Sequence, residues 1–144
     1  MDNTSKVQLL QRVYAGVLAD TVLQMEKEGV LAQVTARKKK EQMQTGKPAA
    51  SQFGIARPEE VFTRLSEVFN CAVWQLDRVE KGFCAHTGAC LLAVLAKKMG
   101  APAPCEIYCL NPMEGMIKGL NPNARYEVRE TLWNGQSCMI EVTE

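Results

Sequence analysis

The chain has 144 residues and carries 17 basic and 16 acidic side chains, a net charge of +1. With 47% hydrophobic and 23% charged residues it has the usage of a folded domain, not of a disordered one. The near-neutral balance argues against a nucleic-acid partner, and no apolar run reaches the roughly 20 residues that cross a bilayer, which argues against a membrane. The first residues lack the basic and apolar regions of a secretory leader, so the expectation is a soluble cytoplasmic protein. This length suits a single α+β domain over 1–144, with a helical arm and linker over 1–50 and a ligand-binding core over 51–144.

The first half reads as helix. Ser5 is placed to cap a segment in which Val7, Leu10, Val13, Val17, Val22 and Met25 recur at intervals of three to five, and Gly29 bends or divides it before Val30, Leu31 and Val34 resume the stripe. Arg37, Lys38, Lys39 and Lys40 read as a solvated helix end running into a loop. A basic binding patch is the other reading, but no aromatics are interleaved. Thr45 to Ser51, with Gly46 and Pro48, reads as a linker. Pro58 then starts a helix whose Glu59 and Glu60 suit its positive end and whose Val61, Phe62, Leu65, Val68 and Phe69 form the buried face; Asn70 ends it.

From Cys71 the period changes to two. Ala72, Trp74 and Leu76 alternate with polar neighbours, Glu80-Lys81-Gly82 turns, and residues 83–87 return as a shorter strand. Residues 88–99 form a helix stopped by Gly100. Cys105 to Leu110, between Pro104 and Pro112, is ambiguous, and a short helix spans 112–120. Tyr126, Val128 and Leu132 alternate, Asn134-Gly135 signals a hairpin, and Cys138, Ile140 and Val142 alternate again. Two hairpins thus give a four-stranded antiparallel sheet packed against helices. Phe62, Phe69, Trp74, Phe83 and Tyr126 build the core or line a pocket, and Met113 and Met116 are placed to flank a cavity.

The six cysteines, Cys71, Cys84, Cys90, Cys105, Cys109 and Cys138, all lie in the second half, and in a cytoplasmic protein they are expected to be reduced. The segment Cys84-Ala85-His86-Thr87-Gly88-Ala89-Cys90, the helix ending Lys97-Lys98-Met99-Gly100-Ala101, Cys109-Leu110-Asn111, and the closing Thr131-Leu132-Trp133-Asn134-Gly135-Gln136-Ser137-Cys138 follow the order of the L-2-amino-thiazoline-4-carboxylic acid hydrolase family. The resemblance covers roughly residues 70–144. Within it Cys138-Met139-Ile140 stands in place of Cys-Asp-Phe, and Asn111 stands near an expected acid. The closing hairpin also resembles that of the 4-vinyl reductase small-molecule-binding domains.

The first resemblance implies hydrolysis of a small cyclic, amidine-like C–N bond, with Cys109, Asn111 and Thr131 against the substrate. The second implies a binding or sensor domain, for a small molecule or a thiolate-held metal, that need not catalyse. If residues 83–87 are a strand, Cys84 and His86 share one of its faces, and Thr87 can cap the next helix, placing Cys90 in the first turn where helix N–H groups favour a thiolate. Either cysteine can then be the nucleophile and His86, the only histidine, the acid/base. In the alternative reading both cysteines pack as small hydrophobes and His86 is a surface residue.

Glu130 falls on the inward face as an acid/base candidate, or else is solvated at the sheet edge. Arg129, pointing outward, can bind a substrate carboxylate. Cys138 packs with Ile140 and Val142. A Cys3His set of Cys84, His86, Cys90 and Cys109 would suit zinc, although no Cys-x2-Cys pair supports it, so the cofactor stays unknown. The partners the sequence allows are a small molecule and a second copy paired through the N-terminal helices.

Overall fold

The computed structural model describes residues 1–144. Helices α1 (Asn3–Lys27), α2 (Leu31–Gln52) and α3 (Pro58–Phe69) precede strands β1 (Gln75–Val79) and β2 (Gly82–Thr87). Then follow α4 (Leu91–Met99), a π-helical segment (Glu106–Leu110), α5 (Asn111–Leu120), β3 (Arg125–Glu130) and β4 (Cys138–Thr143). The expected α+β architecture is the one observed. Both hairpins form, and β2 pairs with β4, so the antiparallel sheet has the order β1-β2-β4-β3. No helix is long and apolar enough to cross a membrane.

The sheet has two unlike faces. Phe83 and Ala85 on β2 and Ile140 and Val142 on β4 are buried against α2, α3 and α5. Cys84 and His86, with Glu141 and Met139 opposite them on β4, point the other way. At the centre of the core Phe62 meets Trp74 edge-on at 5.2 Å between ring centres and Phe83 at 5.8 Å. A smaller apolar cluster, Ala19, Leu92, Ala96 and Ala101, joins α1 to α4.

Several local expectations are corrected. The cap of α1 is Asp2, whose Oδ1 accepts the Ser5 N–H at 2.8 Å, so Ser5 lies inside the first turn. The predicted linker over 45–51 is helical, because α2 continues through Gly46 and Pro48. Gly46 is buried, and a Cβ there would fall on the Gly115 carbonyl; one at Gly115 would strike the Gln42 carbonyl, and one at Gly119 the Lys47 backbone. The α2 and α5 backbones therefore touch, and that packing overrides the weak local propensity. The basic run 37–40 lies in the middle of this helix, not at its end. Strand β1 begins only at Gln75, because the Trp74 N–H donates to Ser66 Oγ at 3.0 Å and leaves the ladder.

Residues 105–110 adopt a π-turn. The Asn111 N–H reaches back five residues to the Glu106 carbonyl, and Pro112 has no N–H to give to Ile107 in the same pattern. The carbonyl freed by the proline accepts instead from Gln42 Nε2 of α2 at 3.1 Å. Asn134-Gly135 does not make a two-residue hairpin; residues 131–137 form a longer connection between β3 and β4.

Replacing Gly115 with Ala is expected to lower unfolding free energy by about 2–3 kcal/mol, because a methyl group against backbone cannot be relieved by a rotamer change. Gly88→Ala, where a Cβ meets nothing within 4 Å, is expected to change it by less than about 0.5 kcal/mol in the same denaturant titration.

Candidate functional site

Between the two apolar clusters lies a cavity of about 360 Å³, in which 21 of 26 lining residues are hydrophobic. Five of the six cysteines line it: Cys71 after α3, Cys90 before α4, Cys105 and Cys109 on the π-turn, and Cys138 at the start of β4. Met113 and Met116 of α5 also line it, as their sequence positions suggested. A wider cleft of about 1010 Å³ shares Cys105, Ile107, Leu110, Thr131 and Trp133 with the cavity, and adds Lys39, Glu106, Asn111, Glu114 and Asn134. The cleft thus shares a wall with the chamber and is the more polar of the two.

Four of the chamber's thiols are held towards the neutral form. Burial, aided by the neighbouring Cys90, pushes Cys71 up to about 11. Burial likewise pushes Cys105 to about 11, with Cys138 and Cys90 adding to it. Cys109 is raised well above the ordinary thiol value by burial and by four surrounding cysteines. Cys138 is raised by burial, although its sulfur accepts the Leu132 N–H at 3.2 Å. Cys90 is itself the N-cap of α4, its Sγ accepting from the Ala93 N–H at 3.5 Å, so the capping role expected of Thr87 belongs to the cysteine. Tyr126, also shifted well upward by burial, donates its hydroxyl to the Leu110 carbonyl and closes the floor of the cleft.

Polar groups facing the chamber are few. Lys38 and Gln42 lie one turn apart on α2, and both line it. The bond from Gln42 Nε2 to the Ile107 carbonyl fixes the orientation of the amide, since a carbonyl can only accept. Its Oε1 is the free acceptor of that amide, and it is buried with no hydrogen-bond partner. A buried acceptor left without a donor costs roughly 1–3 kcal/mol. No pattern in the sequence marks Gln42, since its role depends on a proline seventy residues away.

The expected trio of Cys84, His86 and Cys90 is not gathered. Cys84 and His86 do share a face of β2, but it is the outer face, and neither lines the cleft or the cavity, whereas Cys90 and Cys109 line the cavity. His86 Nε2 lies 2.7 Å from Asp77 Oδ2 across the β1–β2 pair. Cys84 beside them is raised by burial and then by Glu141 and Asp77. No three His, Cys, Asp or Glu side chains are arranged to hold a metal ion, so the Cys84, His86, Cys90 and Cys109 set does not form a zinc centre.

Glu130 is not inward. A bulge between Val128 and Glu130 sets Glu130 opposite Met139, on the outer face, because Arg129 adds one residue to β3. Its exposed Oε2 accepts from the Gln136 and Ser137 N–H groups at 2.7 and 2.9 Å, which tethers the 131–137 connection and replaces an acid/base role with a structural one. Gly135 leaves room for that carboxylate. Arg129 is outward as expected, paired with Glu127 at 2.9 Å and Glu141 at 3.3 Å. Of the remaining candidates, Cys109 lines the chamber, Asn111 lines the cleft, and Thr131 lines both. Lys97 of α4 steadies the same connection by donating to the Leu132 carbonyl at 3.1 Å and lying 5.1 Å above the Trp133 ring.

Comparison of the chain with family models, curated proteins and solved structures found no match.

Two outcomes follow from these environments. Alkylation of native protein is expected to leave Cys71, Cys105 and Cys109 unmodified at pH 8, with the rates at Cys71 and Cys105 still climbing towards pH 11, as mass mapping of the labelled sites reads directly. The Glu130 carboxyl is held below the ordinary range by the Ser137 and Gln136 N–H groups. Its tether is therefore complete above the unfolded value near 4.3 and is lost as pH falls through the lower folded value. The Gln136 and Ser137 amide-proton shifts are expected to titrate together below about pH 4.3, and the step is expected to vanish in Glu130→Gln.

Proposed function

We propose that this chain is a small-molecule-binding domain that takes a compact, mainly apolar ligand into the thiol-lined chamber. The ligand carries one hydrogen-bond donor, which meets Gln42 Oε1. The observation that supports this most is the buried Gln42 acceptor, left without a partner on a residue that lines a largely apolar cavity. Chambers of this size sit at the small end of the roughly 300–1,000 Å³ range of ligand sites, where a few polar groups fix orientation. Neutral thiols and thioethers add polarisable, adaptable walls. Lys38, one turn away on α2, supplies a cation for an anionic substituent.

A binding role is favoured over the hydrolytic one because the chamber holds neither His86 nor an acid/base carboxylate, and four of its thiols are pushed towards the neutral form. Hydrolysis of an aminothiazoline carboxylate would need either a thiolate or a base-activated water beside the bound ring.

Calorimetry with 1-decanol and its methyl ether tests the reading. The alcohol is expected to bind about 2–10-fold more tightly, the worth of one hydrogen bond. Cys109→Leu, which fills the chamber without removing a hydrogen bond, is expected to weaken both by at least tenfold while the protein still unfolds cooperatively. Absence of binding by both probes, or equal binding to wild type and Cys109→Leu, contradicts the proposal. Incubation with 2-aminothiazoline-4-carboxylate is expected to yield no N-carbamoyl-cysteine; turnover abolished by Cys84→Ala or Cys90→Ala would establish the hydrolase instead.

A further inference from the structure

Helix α1 buries one face and leaves the opposite one apolar. Ala15, Ala19 and Val22 are fully buried, with Ala19 against α4, yet Leu10, Val13 and Val17 are 67%, 52% and 55% exposed. Together with Lys6, Asp20 and Gln24 they occupy positions 6, 10, 13, 17, 20 and 24, alternate steps of four and three. That spacing is the seam of a two-helix coiled coil, and it lies on the far side of the helix from α4. Nothing within the chain covers it, since Leu10, Val13 and Val17 belong to neither buried cluster.

The charges on the seam say what covers it. Lys6 lies seven residues before Val13 and Asp20 seven residues after it, so each is two turns, about 10 Å, from the centre on the same face. Neither side chain has an ion-pair partner in the chain. An isologous contact must be complementary to itself under a two-fold rotation. Rotating α1 about an axis through Val13 lays the two helices antiparallel, with each Lys6 opposite the other copy's Asp20 and each Leu10 beside the other copy's Val17. A parallel pairing would instead oppose like charges.

We infer that α1 is the interface of a homodimer, two copies joined antiparallel through Leu10, Val13 and Val17 with reciprocal Lys6–Asp20 pairs at the ends. The chamber lies on the inner side of α1, at Tyr14 and Leu18, so the pairing leaves it accessible and does not depend on the ligand reading.

Sedimentation velocity on the full chain from 1 to 200 µM tests this. The wild-type protein is expected to approach twice its 16.0 kDa mass. Val13→Arg, at an exposed position, is expected to stay monomeric over that range with unchanged far-ultraviolet circular dichroism. Lys6→Asp is expected to weaken the dimer several-fold, and adding Asp20→Lys to the same chain to restore it, because the swap recreates both opposite pairs. A wild-type monomer at 200 µM, a dimer indifferent to Val13→Arg, or a double swap no better than Lys6→Asp alone would overturn the assignment.

Discussion

The contact between the backbones of α2 and α5 is the constraint on which the rest is built. Gly46, Gly115 and Gly119 remove the side chains that would hold the two helices at an ordinary separation of roughly 8–10 Å. Because α2 lies so close, the side chain of Gln42, one turn before Gly46, reaches the π-turn and satisfies the Ile107 carbonyl that Pro112 cannot. The same placement leaves Gln42 Oε1 buried without a partner and brings Gln42 and Lys38 to the chamber wall. A looser crossing would leave a buried carbonyl unpaired and the chamber without its polar contact.

The chemistry of the chain is divided by the sheet. On the outer face, His86 lies against Asp77 while Arg129 pairs with both Glu127 and Glu141, so the polar groups form a solvated lattice. Exposed pairs of this kind contribute little stability. Within the chamber on the helical side the titratable groups are mostly thiols, and burial keeps Cys71, Cys105, Cys109 and Cys138 protonated. Neutral sulfur in an apolar wall is a packing and ligand-contact material, not a nucleophile. Glu130 belongs to neither chemistry, since its carboxylate fastens the connection that carries Leu132 and Trp133 over the chamber.

Period and punctuation in the sequence were sufficient for much of the fold. Pro58, Asn70 and Gly100 mark helix ends as expected, and the alternation at Phe83, Ala85, Ile140 and Val142 gives the buried face of the sheet. What was not legible depends on residues far apart in the chain. Gly46 and Pro48 resemble a linker until Gly115 is seen against them. Glu130 follows the inward alternation until the bulge adds Arg129. The chamber was half-visible, since Cys109, Thr131, Met113 and Met116 were singled out, but alternation within β2 could not say that the face bearing Cys84 and His86 looks away from the helices.

The central claim is that the chamber is a ligand site oriented by Gln42. A crystal structure of the protein grown with 1-decanol tests it most directly. The account expects density for the chain between Met113, Met116 and Cys109, with the hydroxyl within about 3 Å of Gln42 Oε1. An empty chamber at saturating alcohol, or density only on the outer face beside His86, would contradict it.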